Sequence, residues 1–214
     1  MMRLRFKILI ILVLVGLSFL LDPYAYTFLR TLLNYENWGE MRELLMTAKF
    51  LGSGLGALVI GLIVGCVDRS GLGWKRARVL WLLFILTGTL SIVIKVTCGR
   101  ERPSHEDQPP GQERFAFCGP RYGLDAPFQS FPSGHATTSF AVATGLSAFY
   151  PPARIVFFVA AGFTGVNRIV KHQHFLSDVV VGALLGHLMA LWLLRRKSLD
   201  SSPREKIDRG NKGP

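Results

Sequence analysis

The sequence predicts an all-α fold: a polytopic membrane protein with a six-transmembrane-helix bundle and a functional site at the outer membrane face. Half of the 214 residues are hydrophobic and the mean hydropathy is +0.33, which argues against an ordinary soluble domain. The net charge of +11 does not indicate nucleic-acid binding, because the basic residues cluster beside apolar stretches and form no charge-dense module.

Six apolar stretches are the candidate spans, and a spanning helix needs roughly 17 to 25 mostly apolar residues. They cover about residues 6–21, 50–67, 79–97, 135–150, 155–170 and 175–194. The first, fourth and fifth are short unless their flanks contribute. Basic residues precede the first stretch, as in a signal peptide, but the LDPYAY that follows offers no convincing cleavage site. A retained helix is therefore favoured.

The segments around the spans suit a single membrane domain over residues 1–197. Residues 22–49 mix aromatic and charged side chains, which is typical of short helices at the membrane interface. Four glycines of the second stretch form small-xxx-small pairs that favour close helix packing, namely Gly52, Gly56, Gly61 and Gly65. Residues 198–214 are charged and predict a disordered cytoplasmic tail.

The distribution of Lys and Arg predicts that both termini are cytoplasmic. With the N-terminus inside, 15 of the 25 basic residues fall on the inner side. Residues 99–134 and 171–174 then share the outer face, because the fourth and fifth spans separate them. The long polar loop in the first of these ranges is more often functional than idle at such a length.

The three cysteines allow at most one bridge on the outer side, between Cys98 and Cys118, while Cys66 lies at the inner end of the second span. An oxidising exterior would permit that bridge, but spacing alone does not decide it. No zinc-type spacing occurs, so we expect no structural metal.

The first chemically suggestive cluster is KVTCGRERP, in which Lys95 precedes Arg102 by seven residues. The two cations would project from one helix face if the third span continued through this stretch. Taken alone, however, the pattern is more typical of a snorkelling lysine and a stop signal at a span end.

The second cluster is FQSFPSGHATTSF, at the start of the fourth span. Ser133 stands where an N-cap belongs, and the amides of Gly134 and His135 would be unpaired donors of a helix start. Such a terminus attracts anions, and Gly134 would allow one close to the backbone. A capping serine beside an interfacial histidine explains the stretch equally well.

The third cluster is NRIVKHQHFLSD, which contains Arg168, His174 and Asp178. Four residues separate His174 from Asp178, so the carboxylate can accept a proton from one imidazole nitrogen while the other faces outward. An acid near a span end is costly without a partner, which favours a functional role. His172 lies on a different helical face and is a weaker candidate, while His187, deep in the last span, is expected to hydrogen-bond to a neighbouring helix.

Together the three clusters suit phosphoryl transfer, because the predicted topology brings them to one membrane face. Lys95, Arg102 and Arg168 could bind the non-bridging oxygens of a phosphate ester. No carboxylate cluster suited to Mg²⁺ occurs, so the cations would do the metal's work.

The order Lys95-x6-Arg102-Pro103, Pro132-Ser133-Gly134-His135 and Arg168-x5-His174-x3-Asp178 resembles the phosphatidic acid phosphatase type 2 superfamily. The signature spans residues 95–178, and the six-helix layout extends the likeness to nearly the whole chain. One departure is Asn167, where the family commonly has Ser before the Arg. Because Asn still donates a hydrogen bond, we expect altered tuning rather than lost activity.

The resemblance implies a metal-independent lipid phosphatase, without a cofactor, that forms a phosphohistidine intermediate. His174 would attack phosphorus and Asp178 would hold its tautomer, while His135 would protonate the leaving alkoxide and then activate water. The phosphoryl oxygens would be bound by Lys95, Arg102, Ser133, Gly134 and Arg168.

The expected substrate is a membrane lipid phosphate or diphosphate at the outer leaflet of a bacterial inner membrane. A lipid phosphotransferase is the nearest enzymatic alternative, and a catalytically silent lipid-binding protein is the alternative of another class. The complete signature argues against silence, and a haloperoxidase does not suit a chain so largely devoted to the membrane.

Overall fold

The computed structural model describes residues 2–32, 47, 50, 52–103 and 116–196. Within these ranges six α-helices of at least 14 residues can be followed, and the only β-type pairing is isolated bridges. The helices are α1 (Met2–Leu32), α2 (Gly54–Val67), α3 (Gly73–Cys98), α4 (Gly134–Phe149), α5 (Arg154–Val170) and α6 (Leu176–Arg196). The predicted tail, residues 198–214, lies outside the described residues.

The all-helical prediction is confirmed for the described residues, where a helix overlaps each predicted apolar stretch. In this part of the chain, four helices are long and apolar enough to cross a membrane, and α2 is a shorter apolar one. Two helices extend beyond the apolar stretches that predicted them. Helix α1 continues through Pro23 to Leu32, and α3 begins at Gly73, because its basic first turns can be helical without being apolar.

Helix α4 lies at the centre of the bundle, which explains why it is less apolar than a lipid-facing span. It packs against α3, α5 and α6, and ten of its residues are buried. Small side chains allow this close contact. A Cβ at Gly186 of α6 would overlap the carbonyl of Thr137, and a Cβ at Gly182 would crowd that of Ser133.

Helices α2 and α3 pack through the glycines that the sequence indicated. A Cβ at Gly61 would overlap the indole of Trp81, and one at Gly65 would crowd Trp74. The indole N–H of Trp81 donates to the carbonyl of Ala57 at 3.1 Å. The close approach of these helices is thus specified by small residues facing large ones.

One end of the bundle is held by a cluster that we call the distal cluster: Asp68, Ser70, Arg76 and Tyr150. The Asp68 carboxylate accepts hydrogen bonds from Arg76 and the Tyr150 hydroxyl, both at 2.7 Å, and from the Ser70 amide at 2.9 Å. Burial opposes the charged form of Asp68, but these bonds outweigh it and keep the pKa of the carboxyl well below its usual value. The cluster ties the α2–α3 turn to the end of α4.

At the opposite end, Gly99 terminates α3 in the left-handed conformation, with φ of 56° and ψ of 50°. The chain then runs extended, with Arg100 bridged to Phe117 on one side and to Gln129 on the other. Cys98 and Cys118 are free thiols, although backbone hydrogen bonds join their neighbourhoods. The bridge allowed by the sequence is therefore not formed in this structure.

Candidate active site

The three predicted clusters meet at the end of the bundle opposite the distal cluster. Lys95 lies in the last turn of α3, and Arg102 in the extended segment after it. Arg168 lies in the last turn of α5, His174 just before α6, and Asp178 in the first turn of α6. Helix α3 stops at Gly99 and does not continue through this stretch, so Lys95 and Arg102 do not share one helix face.

His174 is buried and held in one tautomer. Its Nδ1 lies 2.7 Å from the backbone carbonyl oxygen of Ser130. A carbonyl can only accept, so Nδ1 carries the proton and Nε2 keeps its lone pair. Burial, reinforced by the charges of Lys95 and Arg168, lowers the pKa of His174 to about 4, although Asp178 acts in the other direction. The imidazole is therefore neutral at physiological pH.

Asp178 acts on His174 less directly than the four-residue spacing predicted. Its Oδ2 lies 3.8 Å from Nδ1, beyond hydrogen-bond distance. That oxygen instead accepts from the Ser130 hydroxyl at 2.5 Å and from the Phe175 amide at 2.8 Å. Ser130 thus stands between the two predicted residues: its hydroxyl binds Asp178 and its carbonyl binds His174.

Ser133 caps α4, as the sequence suggested. Its hydroxyl accepts from the Ala136 amide at 3.5 Å, and its own amide donates to the Asp178 carbonyl at 2.9 Å. A Cβ on Gly134 would lie 3.2 Å from the Ser91 hydroxyl and 3.7 Å from Cε of Lys95. The start of α4 therefore lies beside the end of α3, with His135 half-buried next to it.

The three predicted cations lie together, and the described residues supply none of them with a neutralising carboxylate. Lys95 and Arg168 are buried, and Arg102 is half-buried. Arg102 and Arg168 both act on Lys95 as repelling charges, while no carboxylate in the described ranges forms an ion pair with any of the three. Burial also lowers the pKa of Arg102, partly offset by Asp178. Such a group of cations is stabilised by an anion among them.

Unpaired polar atoms accompany these cations. Within the described chain, Nε of Arg102, Nε of Arg168 and the Ser91 hydroxyl are buried without a hydrogen-bond partner. The one contact of the Lys95 ammonium group that is recorded there is to the Gln129 carbonyl at 2.7 Å. Buried donors normally have partners, so this region can accept an oxygen-rich ligand.

Asn167, the departure from the common signature, is fully buried. Neither its amide nitrogen nor its amide oxygen has a hydrogen-bond partner among the described residues. His172 packs its ring edge-on against Tyr26, 5.3 Å between centroids, rather than beside His174. The described residues contain no group of three His, Cys, Asp or Glu that could hold a metal.

A buried network surrounds Asp178, and we call it the site cluster: Asp22, Arg100, Ser130, Ser177 and Asp178. Sequence reasoning identified Asp178 and missed the other four residues. Arg100 is paired with both Asp178 and Asp22, and all three are buried. Asp22 follows the first apolar stretch, so the argument used for Asp178, that an acid at a span end needs a partner, would have found it. The signature selects Arg102, which precedes Pro103, and gives no role to Arg100.

The sequence of this chain is similar to those of known phosphatases. The model of the PAP2 superfamily matches residues 77–199. The chain is 33% identical over 112 residues to the lipid A 1-phosphatase of Rhizobium johnstonii, covering 52% of this chain and 44% of that protein. It is also 33% identical over 144 residues to lipid phosphate phosphatase 1 of Arabidopsis thaliana, covering 55% of this chain and 44% of the relative. The chain thus spans less than half the length of these curated relatives.

Two solved structures share the fold. Aquifex aeolicus LpxE superposes with a TM-score of 0.62 at 24% identity, covering 82% of this chain and 95% of that one. A PAP2-type phosphatidylglycerolphosphate phosphatase from Bacillus subtilis gives 0.56 at 21% identity, covering 91% and 95%. At these identities the likeness concerns the fold alone.

Proposed function

Because the chain belongs to the PAP2 superfamily, we propose that it is a metal-independent phosphatase of a membrane lipid phosphate or diphosphate. The observation that carries the proposal is the pairing of His174 with unneutralised cations. A buried, neutral imidazole with its lone pair on Nε2 suits a nucleophile, and Lys95, Arg102 and Arg168 offer the charge that a phosphoryl group needs.

In the first step, Nε2 of His174 attacks phosphorus, and the bond between phosphorus and the lipid oxygen breaks. His135 donates a proton to the leaving alkoxide as the N–P bond forms. In the second step, His135 takes a proton from water, which attacks phosphorus and releases phosphate from His174. Throughout, the cations, Ser133 and the Gly134 amide bind the non-bridging oxygens, whose charge grows in each transition state.

We further propose a six-span topology with both termini cytoplasmic and the active site at the outer face of a bacterial inner membrane. The proposal is supported by the separation of the site from the basic residues at the other end of the bundle, which include Arg76, Arg195 and Arg196. Residues 1–197 would then form a single membrane domain.

The names of the relatives indicate where to look for the substrate. Lipid A 1-phosphate and phosphatidylglycerol phosphate correspond to two of these names and lead the panel. Phosphatidate and a polyprenyl diphosphate complete it as further members of the expected substrate class. Transfer to a second lipid instead of water is distinguished by following the fate of the phosphoryl group.

The test is phosphate release from this panel by the purified chain in detergent with EDTA present. We expect His174→Ala to abolish release and His187→Ala to change it less than about twofold, because His187 bonds to Thr144 inside the bundle. Rapid quenching with a ³²P-labelled lipid should trap an acid-labile, base-stable phosphoenzyme. Dependence on added metal, or full turnover in His174→Ala, would overturn the mechanism, and lipid binding without any turnover would favour a silent carrier.

A further inference from the structure

Asp22 lies on α1, outside the residues that match the family, yet its carboxylate is buried against the first turn of α6. Oδ1 accepts from the Ser177 amide at 2.8 Å, and Oδ2 accepts from the Ser177 hydroxyl at 2.5 Å. A carboxylate is stabilised at a helix N-terminus by the free amides and the helix dipole. These bonds fasten α1 to the element that carries Asp178.

Arg100 joins Asp22 to Asp178. Its Nη2 donates to Asp22 at 2.7 Å, while Nη1 donates to Asp178 at 2.5 Å and to the Ser177 hydroxyl at 2.7 Å. The guanidinium is fully buried, and three phenylalanine rings lie within 5.3 Å of it: Phe19, Phe117 and Phe175. An arginine enclosed in this way cannot bind substrate, so its influence on the reaction passes through the two carboxylates.

The competing charges show why Asp178 needs this partner. Lys95 and Arg102 both attract Asp178 electrostatically. A carboxylate drawn toward them would neutralise the cations that bind phosphate and would leave the Ser130 hydroxyl. Arg100 supplies a charge-assisted bond to Oδ1 of Asp178, the oxygen that the Ser130 hydroxyl does not bind, and Asp22 fixes the guanidinium that makes it.

We propose that Asp22 and Arg100 are positioning residues of the phosphatase described above, and the inference rests on that function. Asp22 holds Arg100, Arg100 holds Asp178, and Asp178 holds the Ser130 hydroxyl. The Ser130 carbonyl in turn holds the Nδ1 proton of His174. Helix α1 therefore contributes to the alignment of the active site and is not only an anchor. Breaking this series of hydrogen bonds would misalign Nε2 of His174 without removing a residue that binds phosphate.

The test is a double-mutant cycle on the purified full chain, using the panel lipid that the unaltered chain cleaves fastest. Asp22→Asn is expected to lower kcat by about 10- to 100-fold, as for other partners that orient an active-site histidine, while KM changes less than about threefold. In the Asp178→Asn background, the same substitution should lower kcat by less than about threefold, because its target is already lost. Asp68→Asn, in the distal cluster, is the matched control and should leave kcat unchanged in both backgrounds.

Two further variants keep the test decisive if Asp22→Asn folds poorly. Arg100→Lys keeps the positive charge but loses the two-pronged guanidinium that bonds both carboxylates, so its kcat should fall as in Asp22→Asn. Ser177→Ala removes one hydroxyl and should lower kcat by several-fold, with its melting temperature near that of the unaltered chain. Three outcomes would overturn the inference while leaving the proposed function intact. They are an unchanged kcat in Asp22→Asn, an unchanged kcat in Arg100→Lys, and an equal loss from Asp22→Asn in the unaltered and Asp178→Asn backgrounds. If the unaltered chain cleaves no lipid of the panel, the proposed function and this inference both fall.

Discussion

The site cluster and the distal cluster both bury an Asp carboxylate against an Arg guanidinium, at opposite ends of the same bundle. In the distal cluster, Arg76 lies over the rings of Phe149 and Tyr150, and Asp68 accepts all the donors that face it. In the site cluster, Arg100 forms ion pairs with two carboxylates. Beside it lie Lys95, Arg102 and Arg168, which form no ion pair with any described carboxylate.

The difference shows which feature marks function. A buried ion pair is not informative by itself, because satisfied pairs occur in purely structural positions. The two ends differ in whether their buried polar atoms have hydrogen-bond partners. Among the described residues, guanidinium nitrogens at the site end have none, whereas the Asp68 carboxylate at the other end is fully bonded. Substitutions should therefore affect turnover at one end and stability at the other.

The largest difference should come from neutralising the two acids. Asp178→Asn is expected to lower kcat by about 10³- to 10⁴-fold, comparable with the loss of the orienting Asp in a serine-protease triad. Asp68→Asn should leave kcat within about twofold, because its partners lie at the far end of the bundle. Initial rates of phosphate release from both purified variants test this, and similar losses in the two would end the functional distinction between the clusters.

The two arginines should differ in the sign of their effect on stability. Arg102→Ala should reduce kcat/KM by about 10²- to 10³-fold and leave the melting temperature unchanged or higher, because it removes an unpaired cation that repels Lys95. Arg76→Ala should keep kcat/KM and lower stability by about 2 kcal/mol, because the half-buried Asp68 loses its charged hydrogen-bond partner. Kinetics and thermal unfolding in the same detergent measure both, and a destabilised Arg102→Ala would contradict the assignment.

The sequence predicted the helices and most of the residues that meet at the candidate site, because both leave local patterns. Apolar stretches determined where the helices lie, and His187 bonds to a neighbouring helix, through Thr144, as expected. Four of the predicted residues come together because each lies at a helix end and these ends meet at one end of the bundle: Lys95, Ser133, Arg168 and His174.

The parts that could not be predicted depend on contacts distant in sequence. Ser130 and Asp22 lie 44 and 155 residues from the groups they bind, His174 and Ser177. No periodicity links such residues, and no periodicity shows that α3 ends at Gly99 and leaves Arg100 and Arg102 in the extended segment that follows. The sequence also could not show that Nδ1 of His174 bonds to the Ser130 carbonyl rather than to Asp178, because the two distances, 2.7 Å and 3.8 Å, differ by little.

Protonation should distinguish the two ends by pH. The folded-state pKa of His174 is about 4 and the unfolded value about 6.5, so the unfolded chain binds more protons between these values. Stability should be complete above about pH 6.5 and decrease by about 3 kcal/mol as the pH falls to 4. His174→Ala should flatten this dependence, whereas Asp68→Asn should affect only the loss below about pH 4, where the carboxyl of the unfolded chain takes up its proton. Melting temperatures from about pH 2.5 to 8 cover both ranges, and a slope between about pH 4 and 6.5 that persists in His174→Ala would exclude this histidine as its source.

The smallest effect should come from Tyr150→Phe, which removes a single hydroxyl from the distal cluster. The Asp68 carboxylate keeps its bonds to Arg76 and the Ser70 amide, so it loses one of its charge-assisted bonds and no ion pair. Because Tyr150 is half-buried and water can replace part of that bond, the expected cost is about 1 kcal/mol. Turnover should not change at all. Thermal unfolding and phosphate release measured on one preparation give both values, and a loss of turnover here would mean that the two ends of the bundle are coupled rather than independent.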